Sequence, residues 1–148
     1  MKVSFFLLIA LFSMTFTSAQ NSFKLKKDHD AIQVSDLSVS ARFYGKVLGL
    51  KEIPNGGLGD HIRWFELGEK VQIHLIEGDK KIEKTKGVHF ALNTEDLEAF
   101  MDHLREKKVP FENWPGEQGV TNTRPDGIKQ IYLQDPDGYW IEVNDNRL

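Results

Sequence analysis

The chain is 148 residues long, 40% hydrophobic and 28% charged, with a formal net charge of −3. That length suffices for one domain with a packed core, and no basic excess offers nucleic acid or an acidic membrane a footprint. Without a single cysteine there are no disulfides, thiol nucleophiles or thiolate metal sites, so any metal must be held by histidine and carboxylate.

The first nineteen residues stand apart. Lys2 precedes the apolar run VSFFLLIALFSMTF, and small residues follow at Thr17 and Ala19, the layout of a secretory signal peptide. The run is shorter than the roughly 20 residues that span a bilayer. The expectation is cleavage near Ala19–Gln20 and export to the periplasm or medium with no membrane attachment. A short extension over 20–27 then leads into one domain over 28–146.

From His29 the segment AIQVS alternates and reads as a strand. Ser35 is placed to cap a helix over DLSVSARFYGKVLGL, where Leu37, Ala41, Tyr44, Val47 and Leu48 fall at helical spacing and Gly49 ends the run. Strands are predicted over LKEI, HIRWFEL and VQIHLI, separated by the turns NGGLGD and GEK. The charged stretch 78–87 is a connector between a first module, 28–77, and a second, 88–146. There the pattern restarts with strand VHFALN, a cap at Thr94 and helix EDLEAFMDHLREKKV. VPFENW, VTNTR, IKQIYLQ and YWIEVN follow, with turns at PDG and DPDG. Each half reads β-α-β-β-β, and an internal repeat decides a fold more firmly than single propensities. The expected class is α+β.

The repeat is visible in the wording. HDAIQVSDL (29–37) matches HFALNTEDL (89–97), and Ile73-His74-Leu75 aligns with Ile141-Glu142-Val143. Side chains alternate across a strand, so Ile32 and Val34, Phe90 and Leu92, and Ile141 and Val143 belong to the helix-covered face. His29, Ala31, His89, Ala91 and Glu142 then share the other face. Such a face can simply be the wet side of an antiparallel sheet. The pairwise match of His29 with His89 and His74 with Glu142, each beside a small alanine, points instead to metal ligands that converge if the two sheets face each other. Imidazole and carboxylate suit zinc, iron(II), nickel, cobalt or manganese. By parity the same face offers Gln33, Gln72, Asn93, Tyr132 and Trp140 to a substrate, with Arg63 and Arg124 as anion contacts. His61 and His103 lack repeat partners and read as surface residues. Asp36 and Asp96 read as carboxylates at the positive ends of the two helices.

With HDAIQVSDL, ARFYGKVLGL, VQIHLIE, HFALNTEDL and DPDGYWIEV, the sequence resembles the vicinal oxygen chelate superfamily, which includes glyoxalase I. The resemblance covers about residues 28 to 145. It implies paired βαβββ modules forming an open barrel around one divalent metal ion, zinc or nickel first, with iron, cobalt or manganese as alternatives. It makes His29, His89 and Glu142 the shared ligands and Glu142 the catalytic base. His74 stands where glyoxalase I has a second glutamate. Gln33 and Gly78 replace an arginine and an asparagine that contact glutathione there. The implied activity is a glyoxalase-like lyase or isomerase on a small oxygen-chelating substrate, proceeding through an enediolate-type intermediate. The alternatives are an extradiol-type dioxygenase, a metal-dependent antibiotic-modifying transferase, or a non-catalytic small-molecule binding protein. By analogy the protein is a homodimer.

Overall fold

The computed structural model describes residues 25–79 and 83–147, so the proposed signal peptide lies outside the described residues. The first module runs β1 (His29–Val34), α1 (Leu37–Arg42), β2 (Lys51–Ile53), β3 (Ile62–Gly68) and β4 (Val71–Glu77). The second runs β5 (His89–Asn93), α2 (Leu97–Glu106), β6 (Phe111–Glu112), β7 (Asn122–Thr123), β8 (Lys129–Gln134) and β9 (Trp140–Asn144). The fold is α+β, as the repeat predicts.

The two sheets have the same plan. In the first the order is β1-β4-β3-β2, and in the second β5-β9-β8-β6, with β7 pairing on β8. The opening and closing strands of each module are parallel neighbours, β1 with β4 and β5 with β9. The sheets are two separate sets of strands, each paired within its own module, and do not close into a barrel. VPFENW delivers only two strand residues, because Pro110 has no N–H to donate and the chain turns at Pro115-Gly116.

Both helices begin later than predicted, α1 by one residue and α2 by two. Asp36, not Ser35, caps α1, its carboxylate accepting from Val39 N at 2.9 Å. Asp96, not Thr94, caps α2 by accepting from Ala99 N at 2.9 Å. The two carboxylates expected near the helix dipoles are therefore the caps themselves. Ser35 is occupied elsewhere: its amide and hydroxyl both donate to Asp137. Helix α1 runs on as one π-helical turn, Phe43–Val47, and stops where Gly49 takes φ +71°, a conformation glycine adopts without strain.

One apolar core joins the modules. Val34, Tyr44, Phe65, Ile73 and Leu75 from the first pack with Leu104, Ile131, Leu133 and Ile141 from the second, all nearly inaccessible. Polar contacts cross the same boundary. The Tyr44 hydroxyl donates to Asp135 at 2.9 Å, the Ser40 hydroxyl to Asp137 at 2.7 Å, and the Gln33 amide to the Tyr139 hydroxyl at 3.2 Å. His103, read from sequence as a surface residue, is half-buried and bonds the Val47 carbonyl at 3.1 Å. These contacts run through α1, α2 and the 135–139 turn, and they fix the modules side by side.

Candidate functional site

Strand register builds two matched pairs of candidate ligands. Ala31 lies opposite His74 across β1 and β4, and Ala91 lies opposite Glu142 across β5 and β9. A methyl group facing each ligand leaves space for the residue two positions earlier, which is His29 in one module and His89 in the other.

In the first module the result is a stack. The His29 and His74 rings lie 4.2 Å apart and nearly parallel, and Trp64 covers the far side of His74 at 4.1 Å. Trp64 arrives there because it is directly paired with His74 across β3 and β4. His74 Nε2 is 2.8 Å from Gln72 Oε1, and His29 Nδ1 is 2.5 Å from Asp28. Burial, helped by the neighbouring His29 and opposed by Asp28, holds His74 below the usual imidazole range. His74 is thus a neutral imidazole at neutral pH, the form that ligates metals.

The second module is built around a carboxylate. Glu142 is 5% exposed. Its Oε2 accepts from the Tyr132 hydroxyl at 2.7 Å, and its Oε1 accepts from Asn144 Nδ2 at 2.7 Å and from Arg124 at 3.5 Å. Burial pushes the carboxyl up, but the Tyr132 and Asn144 hydrogen bonds and the charges of His89 and Arg124 outweigh it, so Glu142 stands below its ordinary value. Burial and the bond to Glu142 push the Tyr132 hydroxyl up, so it remains a donor.

His89 supplies the informative geometry. Its Nδ1 lies 2.8 Å from the Lys86 carbonyl, which can only accept, so Nδ1 carries the hydrogen. The other nitrogen, Nε2, faces Glu142 Oε2 at 3.2 Å. In a neutral imidazole both of those atoms present lone pairs. The contact is therefore satisfied by a proton shared between the two atoms, or by a metal ion bound to both. Two ligands each about 2.1 Å from one ion are separated by about 3.0 Å at a right angle and about 3.4 Å at the tetrahedral angle. The pair fits.

The remaining predicted residues are distributed unevenly. Trp140 is half-buried beneath the Lys86 ammonium, 4.8 Å from its ring centre. The Gln33 side chain lies against Gly78, where an added Cβ would come within 2.8 Å of Gln33 Cδ. Asn93 donates to the Asn146 carbonyl and lines a cavity of about 450 Å³ with Thr94, Glu95 and Arg147. Arg63 is on the other face: it pairs in register with the core residue Leu75 and binds Glu52 through two bonds. A cavity of about 470 Å³ beside that ion pair contains none of the four candidate ligands. Arg124 reaches the site but is held by Asp126 and Glu142. His61 is exposed.

Three contributors were not singled out as site residues from the sequence. Asn144 follows from period-two spacing after Glu142. Lys86 sits in the charged connector, and Trp114 in a segment without periodicity. Among the described residues no three His, Asp or Glu side chains form a metal-holding group. The four candidates remain two pairs, one on each sheet.

Fold and site together define a protein of repeated βαβββ modules, each presenting a histidine-bearing sheet face. The chain belongs to the Glyoxalase/Bleomycin resistance protein/Dioxygenase superfamily, whose family model matches residues 26–143. It is 33% identical over 122 residues to the uncharacterized protein YwbC of Bacillus subtilis, covering 78% of this chain and 93% of that one. It is 31% identical over 128 residues to a Synechocystis protein named "Probable lactoylglutathione lyase", covering 78% and 91%. Among solved structures, the fosfomycin resistance protein FosX from Listeria monocytogenes superposes with a TM-score of 0.66 at 21% identity, covering 84% of this chain and 95% of that one. At that identity the likeness concerns the fold.

Proposed function

We propose that this protein is a divalent-metal-dependent enzyme of glyoxalase type, a lyase or isomerase acting on a small substrate with two adjacent oxygens. The observation that carries the reading is His89 Nε2 facing Glu142 Oε2 at 3.2 Å while Nδ1 is committed to the Lys86 carbonyl. His29, His74, His89 and Glu142 would hold the ion, with zinc or nickel expected. When bound, the ion supplies Lewis acidity at the substrate oxygens. The chain's own part centres on Glu142. It is ionised at neutral pH, so a proton acceptor is resident, and Tyr132 and Asn144 fix the direction of its lone pairs. The Lys86 carbonyl and Gln72 orient the His89 and His74 imidazoles, as outer partners of ligating histidines do. The substrate need not be a glutathione adduct, because Gln33 and Gly78 occupy the places where the resemblance expects an arginine and an asparagine.

The same proposal includes a homodimer whose site is shared. Side-by-side modules leave each chain with two half-sites, and a second copy related by a twofold axis supplies what each lacks. Elemental mass spectrometry of purified protein tests both parts. One equivalent of a transition metal per chain is expected, lost in His29→Ala and in His89→Ala. Co-expressing the two variants should restore one intact site in each mixed dimer. A site formed within one chain would not be restored by mixing. A parent that retains none of the candidate ions after reconstitution would sink the metal-centred reading. Export by the N-terminal segment belongs to this proposal, and N-terminal sequencing of protein recovered outside the cytoplasm checks it.

A further inference from the structure

We propose that Trp114 is a stacking platform for the substrate, and that the substrate carries a planar unsaturated group, an aryl ring for preference, beside its oxygen-chelating head. The inference rests on the metal-centred reading above and names the chemistry that adjoins it.

Trp114 is a large apolar side chain left 47% exposed, yet its position is fixed from several directions. Its amide donates to Asn122 Oδ1 at 2.9 Å, and its carbonyl accepts from Lys86 Nζ at 3.2 Å. The preceding Asn113, itself buried, closes the turn: its side chain accepts from Glu117 N at 2.8 Å, and its carbonyl accepts from Gly116 N at 3.0 Å. Lys86 also binds Glu112 and the Asn113 carbonyl, tying the turn to the connector whose carbonyl orients His89. A scattered exposed aromatic needs no explanation. One that is anchored this thoroughly next to a candidate ligand does.

The ring is aimed at the site. Its centre lies 6.4 Å from that of His89 and 5.5 Å from that of Tyr132, inclined 60° to each, while Tyr132 stands edge-on to His89 at 5.2 Å. Trp114 and Tyr132 therefore form a corner around the imidazole whose Nε2 faces Glu142, and the Trp114 residue stays 47% exposed. The cations nearby are already engaged: Arg124 by Asp126 and Glu142, Lys86 by Glu112. A long anionic tail would have to displace one of those pairs. A flat apolar group instead gains a pre-ordered aromatic partner, an arrangement that contributes beyond area burial alone.

The test uses zinc-loaded full-length protein and two probes that share one bidentate oxygen head, acetohydroxamate and benzohydroxamate, titrated by calorimetry. On the parent, benzohydroxamate should bind about tenfold more tightly. Trp114→Ala should bring it down to the affinity of acetohydroxamate, with acetohydroxamate binding and zinc content unchanged, and Trp114→Phe should keep most of the preference. Equal affinities on the zinc-loaded parent, or equal weakening of both probes in Trp114→Ala, would overturn the platform alone. A Trp114→Ala protein that sediments as a monomer would overturn it too, by assigning the ring to a subunit contact. Failure to retain zinc or bind either probe would overturn the metal-centred reading and the platform with it.

Discussion

Replacing Tyr44 by phenylalanine isolates one bond between the modules. Tyr44 is fully inaccessible, so the phenylalanine ring keeps the packing and only the hydroxyl is lost. That hydroxyl donates to Asp135 Oδ2 at 2.9 Å, and Asp135 is itself 5% exposed. The other oxygen of Asp135 keeps its bonds from the amides of Asp137 and Tyr139, so the turn persists while Oδ2 is left buried without a donor. A hydrogen bond to a charged buried acceptor contributes about 1.5–3 kcal/mol. With a urea dependence of about 1–3 kcal/mol per molar, the midpoint should fall by about 1 M, read by tryptophan fluorescence at pH 7. Burial raises the Asp135 carboxyl above its ordinary value, against the hydrogen bonds it accepts. A raised folded-state carboxyl favours the protonated form, so the native state gains relative stability as pH falls through that raised value towards the unfolded one. Losing the Tyr44 donor raises it further. The penalty of Tyr44→Phe should therefore shrink on acidification towards pH 4. A loss below about 0.5 kcal/mol at pH 7, or one that does not change with pH, would refute the reasoning.

Asp137 behaves in the opposite sense. Burial raises it, but bonds from Ser35 and Ser40 and the charge of Lys84 bring it below its ordinary value, so its contribution is complete above the unfolded carboxylate pKa and is lost as pH falls through the folded one. Asp137→Ala should destabilise at neutral pH by an amount that vanishes in strong acid, seen in denaturation curves across pH. Leu104→Ala, at a fully buried position of α2, should cost about 2–5 kcal/mol through lost burial and the cavity left behind, measurable in the same assay. Tyr132→Phe removes the 2.7 Å donor to Glu142 and should weaken metal affinity by about 10- to 100-fold, as loss of an outer partner does. Competition with a fluorescent chelator would read it, and unchanged affinity would detach Tyr132 from the site.

The fold was largely legible because the repeat restates it. HDAIQVSDL and HFALNTEDL mark two strands, each leading into a helix, and two copies of an alanine beside a candidate ligand, and the strands and the alanine pairings appear in the register. Parity put His29 with His74, and His89 with Glu142, on one face of their own sheets, and the strand register agrees. What periodicity does not carry was missed. Arg63 falls on the opposite face from His74 because it is one residue away from Trp64, the position paired with that histidine. Lys86 and Trp114 act from segments that obey no period, through a backbone carbonyl and an exposed ring. That no three of the candidates form one group among the described residues is likewise something no strand pattern encodes.

The two modules also show how a repeat diverges in chemistry while keeping its geometry. Trp64 and Tyr132 occupy equivalent places, each paired directly with the central candidate of its module. Beside Glu142 that place holds a hydroxyl that donates to the carboxylate. Beside His74 it holds an indole that stacks on the imidazole, with its own N–H buried and unpartnered. A carboxylate at the first position would be buried against a ring with no donor turned to it, and an imidazole at the second would leave the tyrosine hydroxyl without its acceptor. Each neighbour is suited to the ligand it accompanies. The asymmetry between His74 and Glu142 is therefore built into both sheets, with an aromatic stack around the one and hydrogen-bond donors around the other.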